Sequence, residues 1–181
     1  MTDNELLGQF LDGDESAFKE LVSRHQHNLY RFVWRQVGNH DDTSDICQAS
    51  FIQVYKKASQ FQGRAAFKSW LYKIAINLSK NHHRSKARQR IDDNIEPETI
   101  EMTSADSGWD NVLNKENKAR IKSVISRLPE KQRLTIQLRF FQDCTLKQVA
   151  EIMECPLGTA KANYHHGLKT LRQFMQGDDY D

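Results

Sequence analysis

Apolar residues recur three or four positions apart along most of this chain. No stretch alternates apolar and polar residues as a half-buried strand would, so the pattern predicts an all-α protein. Three long helices are expected in the first half, beginning after Asp14, after Asp41–Ser44 and at about Phe67. Asp14 suits an N-cap, and the paired acids suit the positive end of a helix dipole.

The third of these helices carries two stripes. The residues expected to pack inward are Phe67, Trp70, Leu71, Ile74, Ala75 and Leu78. The polar residues that recur on a neighbouring face are Lys73, Asn77, Lys80 and Arg84, and Tyr72 lies outside the apolar stripe. Cations beside aromatic rings are typical of a site for unpaired nucleotides, because cations follow phosphates and rings stack on bases. For Trp70 alone, packing in the core is the preferred explanation, because large aromatic residues at helical spacing usually pack inward.

The second half predicts a helix ending at Leu128, another beginning at Pro129, and then a helix-turn-helix. Thr145 and Gln148 have the spacing of a capping box, which opens a short helix. A turn at 154–156 leads into a last helix with one packed face. The apolar stripe expected on that face is Leu157, Ala160, Tyr164, Leu168, Leu171 and Met175.

The opposite face of the last helix is polar and small. It presents Thr159, Ala162, Asn163, His166, Lys169 and Gln173, flanked by Lys161, His165 and Arg172. Asparagine can read adenine in the major groove, small residues allow close approach, and lysine or arginine can hold phosphates. The pair of helices is therefore a candidate DNA reader, with a plain helical hairpin as the alternative.

Charge is segregated along the 181 residues, although the formal net charge is only +2. Residues 64–90 carry eight bases and no acid, whereas residues 91–116 carry eight acids and one base. This segregation of charge is typical of a protein that contacts a polyanion. The alternative is that both blocks are simply charged helices in contact with solvent. Residues 91–111 contain Pro97, Gly108 and no helical period, which predicts a flexible acidic linker between domains at 1–90 and 112–181.

Several classes of protein are disfavoured by what the sequence lacks. No apolar run approaches the roughly 18–20 residues that cross a bilayer, and the chain starts with acids rather than bases. We therefore expect a cytoplasmic protein without membrane insertion. Three cysteines without CxxC spacing argue against a disulfide framework or a four-cysteine zinc site. No phosphate loop, HExxH or nucleophile elbow is present, so neither an enzyme nor a cofactor is expected.

Three segments, in order, resemble the bacterial sigma-70 factors of the extracytoplasmic function group. Asp41–Tyr55 looks like the family's polymerase-binding helix, and Phe61–Asn77 is similar to its promoter-melting segment. Leu128–Arg133, followed by Val149–Met153 and Pro156–Lys161, is similar to its carboxy-terminal helix-turn-helix. The resemblance implies a promoter-specificity subunit that binds core RNA polymerase and promoter DNA, with an anti-sigma factor as a further partner.

The resemblance also implies which residues meet each partner. Those on the polymerase side are Asp41, Asp42, Asp45, Ile46, Gln48, Phe51, Gln53 and Tyr55. Those at the melted minus-10 strand are Phe61, Arg64, Phe67, Lys68, Trp70, Tyr72, Lys73, Asn77, Lys80 and Arg84. Those at the minus-35 duplex are Thr159, Lys161, Ala162, Asn163, His165, His166, Lys169 and Arg172.

Two other classes of protein stay open on the residues alone. A conventional helix-turn-helix regulator would bind duplex DNA without polymerase, usually as a symmetric dimer, but it leaves the basic third helix unexplained. An enzyme or zinc protein would use the pairs His82–His83 and His165–His166 with the cysteines. Adjacent histidines in basic helices are more often phosphate contacts or surface residues.

Overall fold

A computed structural model describes residues 1–93, 121 and 123–177, and this part of the chain contains helices and turns but no strand. The all-α prediction is therefore confirmed. The chain divides into two compact units, Met1–Thr103 and Ser104–Asp181. The helices of the first unit are α1 (Asp3–Leu11), α2 (Glu15–Val37), α3 (His40–Lys57) and α4 (Phe67–Asp93), with a 3₁₀ turn at Ala58–Gln60. In the second unit, helical residues 123–126 precede α5 (Glu130–Phe141), α6 (Leu146–Ile152) and α7 (Leu157–Gly177).

The expected linker lies mostly outside the described residues. Its first three positions, 91–93, still belong to α4, and positions 94–111 are not among those the structure describes. The proposed boundary between the two domains therefore stays a prediction.

Helix α1 does not follow from the apolar spacing, yet it begins at a well-formed cap. The Thr2 hydroxyl accepts a hydrogen bond from the Glu5 N–H at 3.3 Å, and the Glu5 carboxylate accepts one from the Thr2 N–H at 2.7 Å. This is a capping box, whose Thr-x-x-Glu spacing was the available sequence signal. Leu6 and Leu7 are each only 1% exposed, so α1 is part of the core of the first unit.

Polar caps also decide where α2 and α3 begin. Asp14 caps α2 as predicted, with its carboxylate accepting from the N–H two residues ahead at 2.9 Å. Helix α2 ends at Val37 and is followed by Gly38, whose φ of 78° is a left-handed conformation that glycine adopts without strain. Asn39 then caps α3 by accepting from the Asp42 N–H at 2.9 Å, so α3 starts at His40, just ahead of the predicted acids.

Helix α4 packs against α1, α2 and α3, and its buried side is wider than the single predicted stripe. Between Phe67 and Gln89, the buried residues of α4 are Phe67, Ser69, Leu71, Tyr72, Ile74, Ala75, Ile76 and Ser79. The Tyr72 ring meets the ring of Phe32 on α2 edge-on, with 5.0 Å between their centroids. The placement of Tyr72 outside the packed face was wrong because α2 covers the side of α4 on which Tyr72 lies.

In the second unit, α5 and α7 approach closely at a glycine. A Cβ added to Gly167 would lie 3.1 Å from Cγ1 of Ile136, a residue that is 1% exposed. Ala160 and Gly167 are both buried, so the packed face of α7 includes these two small residues. Leu157 and Leu168 are 42% and 37% exposed, so their assignment to the packed stripe was wrong.

The helix-turn-helix itself forms as the sequence predicts. Thr145 and Gln148 make the expected reciprocal capping box at the start of α6. Glu154, in the turn that follows, has a φ of 51°, a left-handed conformation that reverses the chain direction. Pro129 lies just before α5 as its N-cap rather than as its first helical residue.

Replacing Gly167 by valine is expected to destabilise the second unit by about 1–3 kcal/mol, because the added carbons overpack the contact with Ile136. Hydrogen–deuterium exchange of α5 and α7 in a urea series measures this. Gly158→Val is the matched control, since no atom lies within 4 Å of a Cβ added there. Equal protection in the two variants would contradict a close approach at Gly167.

Candidate nucleic-acid and protein interfaces

Helix α3 offers only part of the predicted polymerase contact set to solvent. The exposed members are Asp41, Asp45, Gln48 and Tyr55, and the half-buried ones are Asp42, Phe51 and Gln53. Ile46 is 6% exposed and belongs to the core between the helices. Its prediction as a surface contact was wrong, because it lies on the inward face of α3 beside Cys47 and Ser50.

An apolar groove of about 670 Å³ runs between α2 and α3. Its α2 wall consists of Phe18, Val22, Gln26, His27 and Tyr30, and its α3 wall of Ser44, Cys47, Gln48, Phe51, Ile52, Tyr55 and Lys56. Ile52, which is 46% exposed, and the whole α2 wall are absent from the sequence-based set. The available signal was that α2 carries apolar residues on a wider sector than one packed stripe needs.

Asp42 is engaged inside the first unit rather than held out to a partner. Its Oδ2 lies 2.6 Å from Nζ of Lys86 and 3.1 Å from Nε2 of His82, both on α4, and it also accepts from the Asn39 amide. Burial acts to raise the pKa of this carboxyl, but the hydrogen bonds from Asn39 and Lys86 outweigh it and leave the pKa lowered. Asp42 thus joins the start of α3 to α4.

The loop at 61–66 and the start of α4 bring three aromatic rings together. The ring of Trp70 lies 5.0 Å from that of Phe61 and 6.4 Å from that of Phe67. Phe61 and Trp70 are half-buried, which leaves each with an accessible surface. Phe67 and Tyr72 are 1% and 0% exposed, so their predicted contact with DNA was wrong: both belong to the core that α4 forms with its neighbours.

The polar candidates around this loop are accessible. Arg64, Asn77, Lys80 and Arg84 are exposed, and Lys68 and Lys73 are half-buried. The Lys68 ammonium lies 6.0 Å from the centroid of the buried Tyr72 ring, within the range of a cation–π contact. The lysines and arginines among them form a cationic surface on the same unit as the partly exposed rings of Phe61 and Trp70. Cations and accessible rings are the groups that bind an unpaired nucleic-acid strand.

Helix α7 presents seven of its eight candidates to solvent. The exposed ones are Thr159, Lys161, Ala162, His165, His166, Lys169 and Arg172. Asn163 is half-buried, and its Nδ2 is enclosed without a hydrogen-bond partner among the described residues. Asn163 therefore meets its predicted outward position only in part, because it lies one turn before Gly167, where α7 approaches Ile136 of α5.

The zinc alternative has no support in the part of the chain that the structure describes. No three His, Cys, Asp or Glu side chains come together there in a way that could hold a metal ion. The rings of His82 and His83, and those of His165 and His166, lie 6.0 Å and 5.8 Å apart as simple neighbours. Within the same residues, no helix is both long and apolar enough to span a membrane.

Comparison with known proteins gives matches in both units. Sigma-70 region 2 matches residues 21–89, and sigma-70, region 4 matches residues 118–171. The chain is 30% identical to the RNA polymerase sigma-H factor of Pseudomonas aeruginosa, over 96% of this chain and 94% of that protein. It is 35% identical to the ECF RNA polymerase sigma-E factor of Salmonella typhimurium, over 97% and 95% respectively.

Two solved structures share the fold. CnrH in complex with the cytosolic domain of CnrY has a TM-score of 0.71 at 18% identity, covering 97% of this chain and 98% of that one. The sigma factor RpoE of Bartonella quintana, in complex with the anti-sigma factor NepR, has a TM-score of 0.72 at 22% identity, covering 88% and 96%.

The Asp42 cluster predicts a pH-dependent stability. Burial lowers the pKa of His82 below 6.5, although the Asp42 charge opposes that shift. The unfolded chain therefore binds a proton more readily, so stability is lost as pH falls through 6.5. His82→Gln should flatten the dependence of the free energy of unfolding between about pH 7.5 and 5.5, measured by urea unfolding. Ser23→Ala, at an exposed site on α2 that carries no titratable group, should leave the slope unchanged; equal slopes for all three proteins would refute the assignment.

Cysteine reactivity should follow burial. Burial raises the pKa of Cys47 to about 12, and Cys144 is 1% exposed, whereas Cys155 is half-buried. Because the thiolate is the reactive form, iodoacetamide at about pH 8 should label Cys155 first and Cys47 only after urea is added. Peptide mass spectrometry reads each site. Rapid labelling of native Cys47 would show that its thiol reaches solvent.

Proposed function

This chain belongs to the extracytoplasmic function group of the sigma-70 family, transcription factors that direct promoter-specific initiation by RNA polymerase, and from that membership we propose how its two units divide the work. The first unit docks on core polymerase and holds the melted minus-10 strand. The second unit grips the minus-35 duplex. The observation that carries this division is that the two family regions fall in separate units, one in each.

The polymerase contact is proposed at the groove between α2 and α3. Exposed apolar residues on a soluble surface mark interaction sites, and here Ile52 and Tyr55 are 46% and 50% exposed beside the half-buried Phe51. The acids Asp41 and Asp45 at the start of α3 add a polar rim. The proposal therefore shifts the contact from Ile46 and Asp42 towards the groove and includes its α2 wall.

The minus-10 contact is proposed at the loop 61–66 and the exposed face of α4. Exposing a base costs a few kcal/mol of stacking and pairing, which stacking on Phe61 and Trp70 can offset at about 1–3 kcal/mol per base. Arg64, Lys80 and Arg84 supply charge for the phosphates of that strand.

The minus-35 contact is proposed on the exposed face of α7, with its N-terminal half in the major groove. Thr159 and Ala162 allow close approach to base edges, while Lys161, Lys169 and Arg172 reach phosphates. Asn163 is left out of this set because its amide nitrogen is enclosed. His165 and His166 stay candidates as exposed hydrogen-bonding groups.

An anti-sigma protein is proposed as a further partner, since the RpoE relative is seen with one. The place of action proposed for the chain is that of RNA polymerase, the bacterial cytoplasm. We propose no catalytic step for its own residues, because bond formation belongs to the polymerase. A regulator that works without polymerase is not favoured, since the match to sigma-70 extends over both units.

In vitro transcription with purified bacterial core polymerase and the full chain tests the function. The expected result is initiation at defined positions on genomic fragments, found by mapping the 5′ ends, and no initiation there with core polymerase alone. A gel shift on the mapped promoters without polymerase serves as the comparison. Tight, specific duplex binding by the chain alone, with no initiation, would instead support the independent regulator.

The groove can be tested by placing a charge in it. Ile52→Asp should weaken binding to core polymerase at least about tenfold, because a central interface contact contributes about 2 kcal/mol or more and the new carboxylate would be desolvated. Biolayer interferometry with immobilised core polymerase measures the affinity. Ser23→Asp adds the same charge at an exposed α2 site outside the groove. Unchanged affinity in Ile52→Asp would move the contact elsewhere.

A further inference from the structure

The segment before α4 is held by a side chain from the other end of the first unit. Oδ1 of Asn4 accepts a hydrogen bond from the Phe67 N–H at 3.0 Å, and its Nδ2 donates to the Ala65 carbonyl at 3.4 Å. Phe67 is the first residue of α4, so its N–H has no acceptor within its own helix. Asn4 on α1 therefore caps α4 from 63 residues away.

The chemistry of this bridge requires an amide. An amide both accepts and donates, so one side chain can satisfy an N–H and a carbonyl that lie two residues apart. A carboxylate at the same place could accept from the Phe67 N–H, but its second oxygen would meet the lone pairs of the Ala65 carbonyl. The two partners also fix the orientation of the Asn4 amide, because the Phe67 N–H donates to its oxygen and the Ala65 carbonyl accepts from its nitrogen.

Helix α1 is itself firmly attached to its neighbours. Leu6 and Leu7 are each 1% exposed, and Oδ2 of Asp3 lies 2.7 Å from Nε2 of the buried His25 on α2. The His25 ring lies 5.3 Å from the ring of Phe67, so the same contact region reaches the start of α4. The bridge from Asn4 is thus anchored in the core and not on a frayed terminus.

The loop held in this way carries the groups proposed to meet the unpaired strand. Arg64 directly precedes Ala65, and Phe61 starts the loop with its ring against Trp70. Between them Gly63, with a φ of 68°, makes the turn. Groups on a loop that is already ordered lose less conformational entropy when they bind, so the affinity for a ligand rises with that order.

We propose that Asn4 is a positioning residue for strand capture: through its two hydrogen bonds, α1 sets the loop 61–66 in the conformation that receives the melted promoter strand. This inference rests on the proposed function of that loop. Asn4 need not touch DNA, and α1 lies outside both segments of the chain that match the family regions.

The test uses holoenzyme assembled from core polymerase and the full chain. The ligand is the fluorescein-labelled non-template strand across the minus-10 element of a promoter mapped by transcription, and anisotropy gives its affinity. Asn4→Ala should lower that affinity roughly three- to tenfold, the range expected for losing one or two hydrogen bonds that preset the loop. Affinity for core polymerase and for the minus-35 duplex should stay unchanged.

Two variants separate positioning from general stability. Asp14→Ala removes the cap of α2, which should lower Tm by about 4–8 °C without touching the loop, and strand affinity should stay at the wild-type value. Asn4→Asp keeps an acceptor for the Phe67 N–H but not the donor to Ala65, so strand affinity should fall although the cap of α4 is retained. Gln9→Ala is a control at an exposed site on α1 itself.

The possible results are distinct. Wild-type strand affinity in Asn4→Ala overturns the inference and leaves the proposed function intact. An equal loss in Asp14→Ala and Asn4→Ala also overturns it, because stability alone would then explain the effect. If the wild-type holoenzyme does not hold the strand, the proposed function of the loop fails, and the inference fails with it.

Discussion

The burial of α4 against three neighbouring helices is the constraint on which the first unit depends. Phe67, Leu71 and Tyr72 on this helix are each at most 1% exposed. Burying one such side chain contributes about 1.5–3 kcal/mol, so α4 cannot rotate about its axis without a large loss. The core therefore decides which polar residues of α4 face solvent, and Asn77, Lys80 and Arg84 face it because the opposite side is fully packed.

Much of the fold follows from the sequence because helical spacing and caps are local signals. The cap at Asp14 and the capping box of Thr145 with Gln148 form as expected. The errors arise where packing depends on distant elements. Tyr72 is buried because α2 covers a second side of α4, which periodicity in α4 cannot reveal. Leu168 is exposed because α7 contacts Ile136 of α5 at Gly167 instead. Glycine has no side chain, so an analysis of apolar spacing does not detect this contact.

The sequence predicts which segments carry the candidate surfaces, but not which of their side chains are exposed. Short motifs identify α3, the loop with α4, and α7, yet they do not say which polar groups are engaged internally. Asp41 and Asp42 are adjacent acids at the start of α3, and it is Asp42 that binds Lys86. Its engagement depends on a residue 44 positions away, which no local pattern can place. Asn163 is half-buried for the same reason, since the side of α7 that faces α5 is set by contact between helices.

Division of the proposed work between two units has a thermodynamic consequence for the loop 61–66. When one unit is bound, the second contact becomes effectively intramolecular, so neither unit needs high affinity by itself. Such linkage raises the local concentration of the second unit near its DNA site, but it does not order the backbone of the loop 61–66. The cost of fixing backbone conformation, about 1–2 kcal/mol for each residue, must therefore be met inside the first unit. The hydrogen bonds from Asn4 and the contact of Phe61 with Trp70 are the described interactions placed to meet it. Helix α1, which supplies no residue to either proposed DNA surface, thus acquires a direct part in how one of them works.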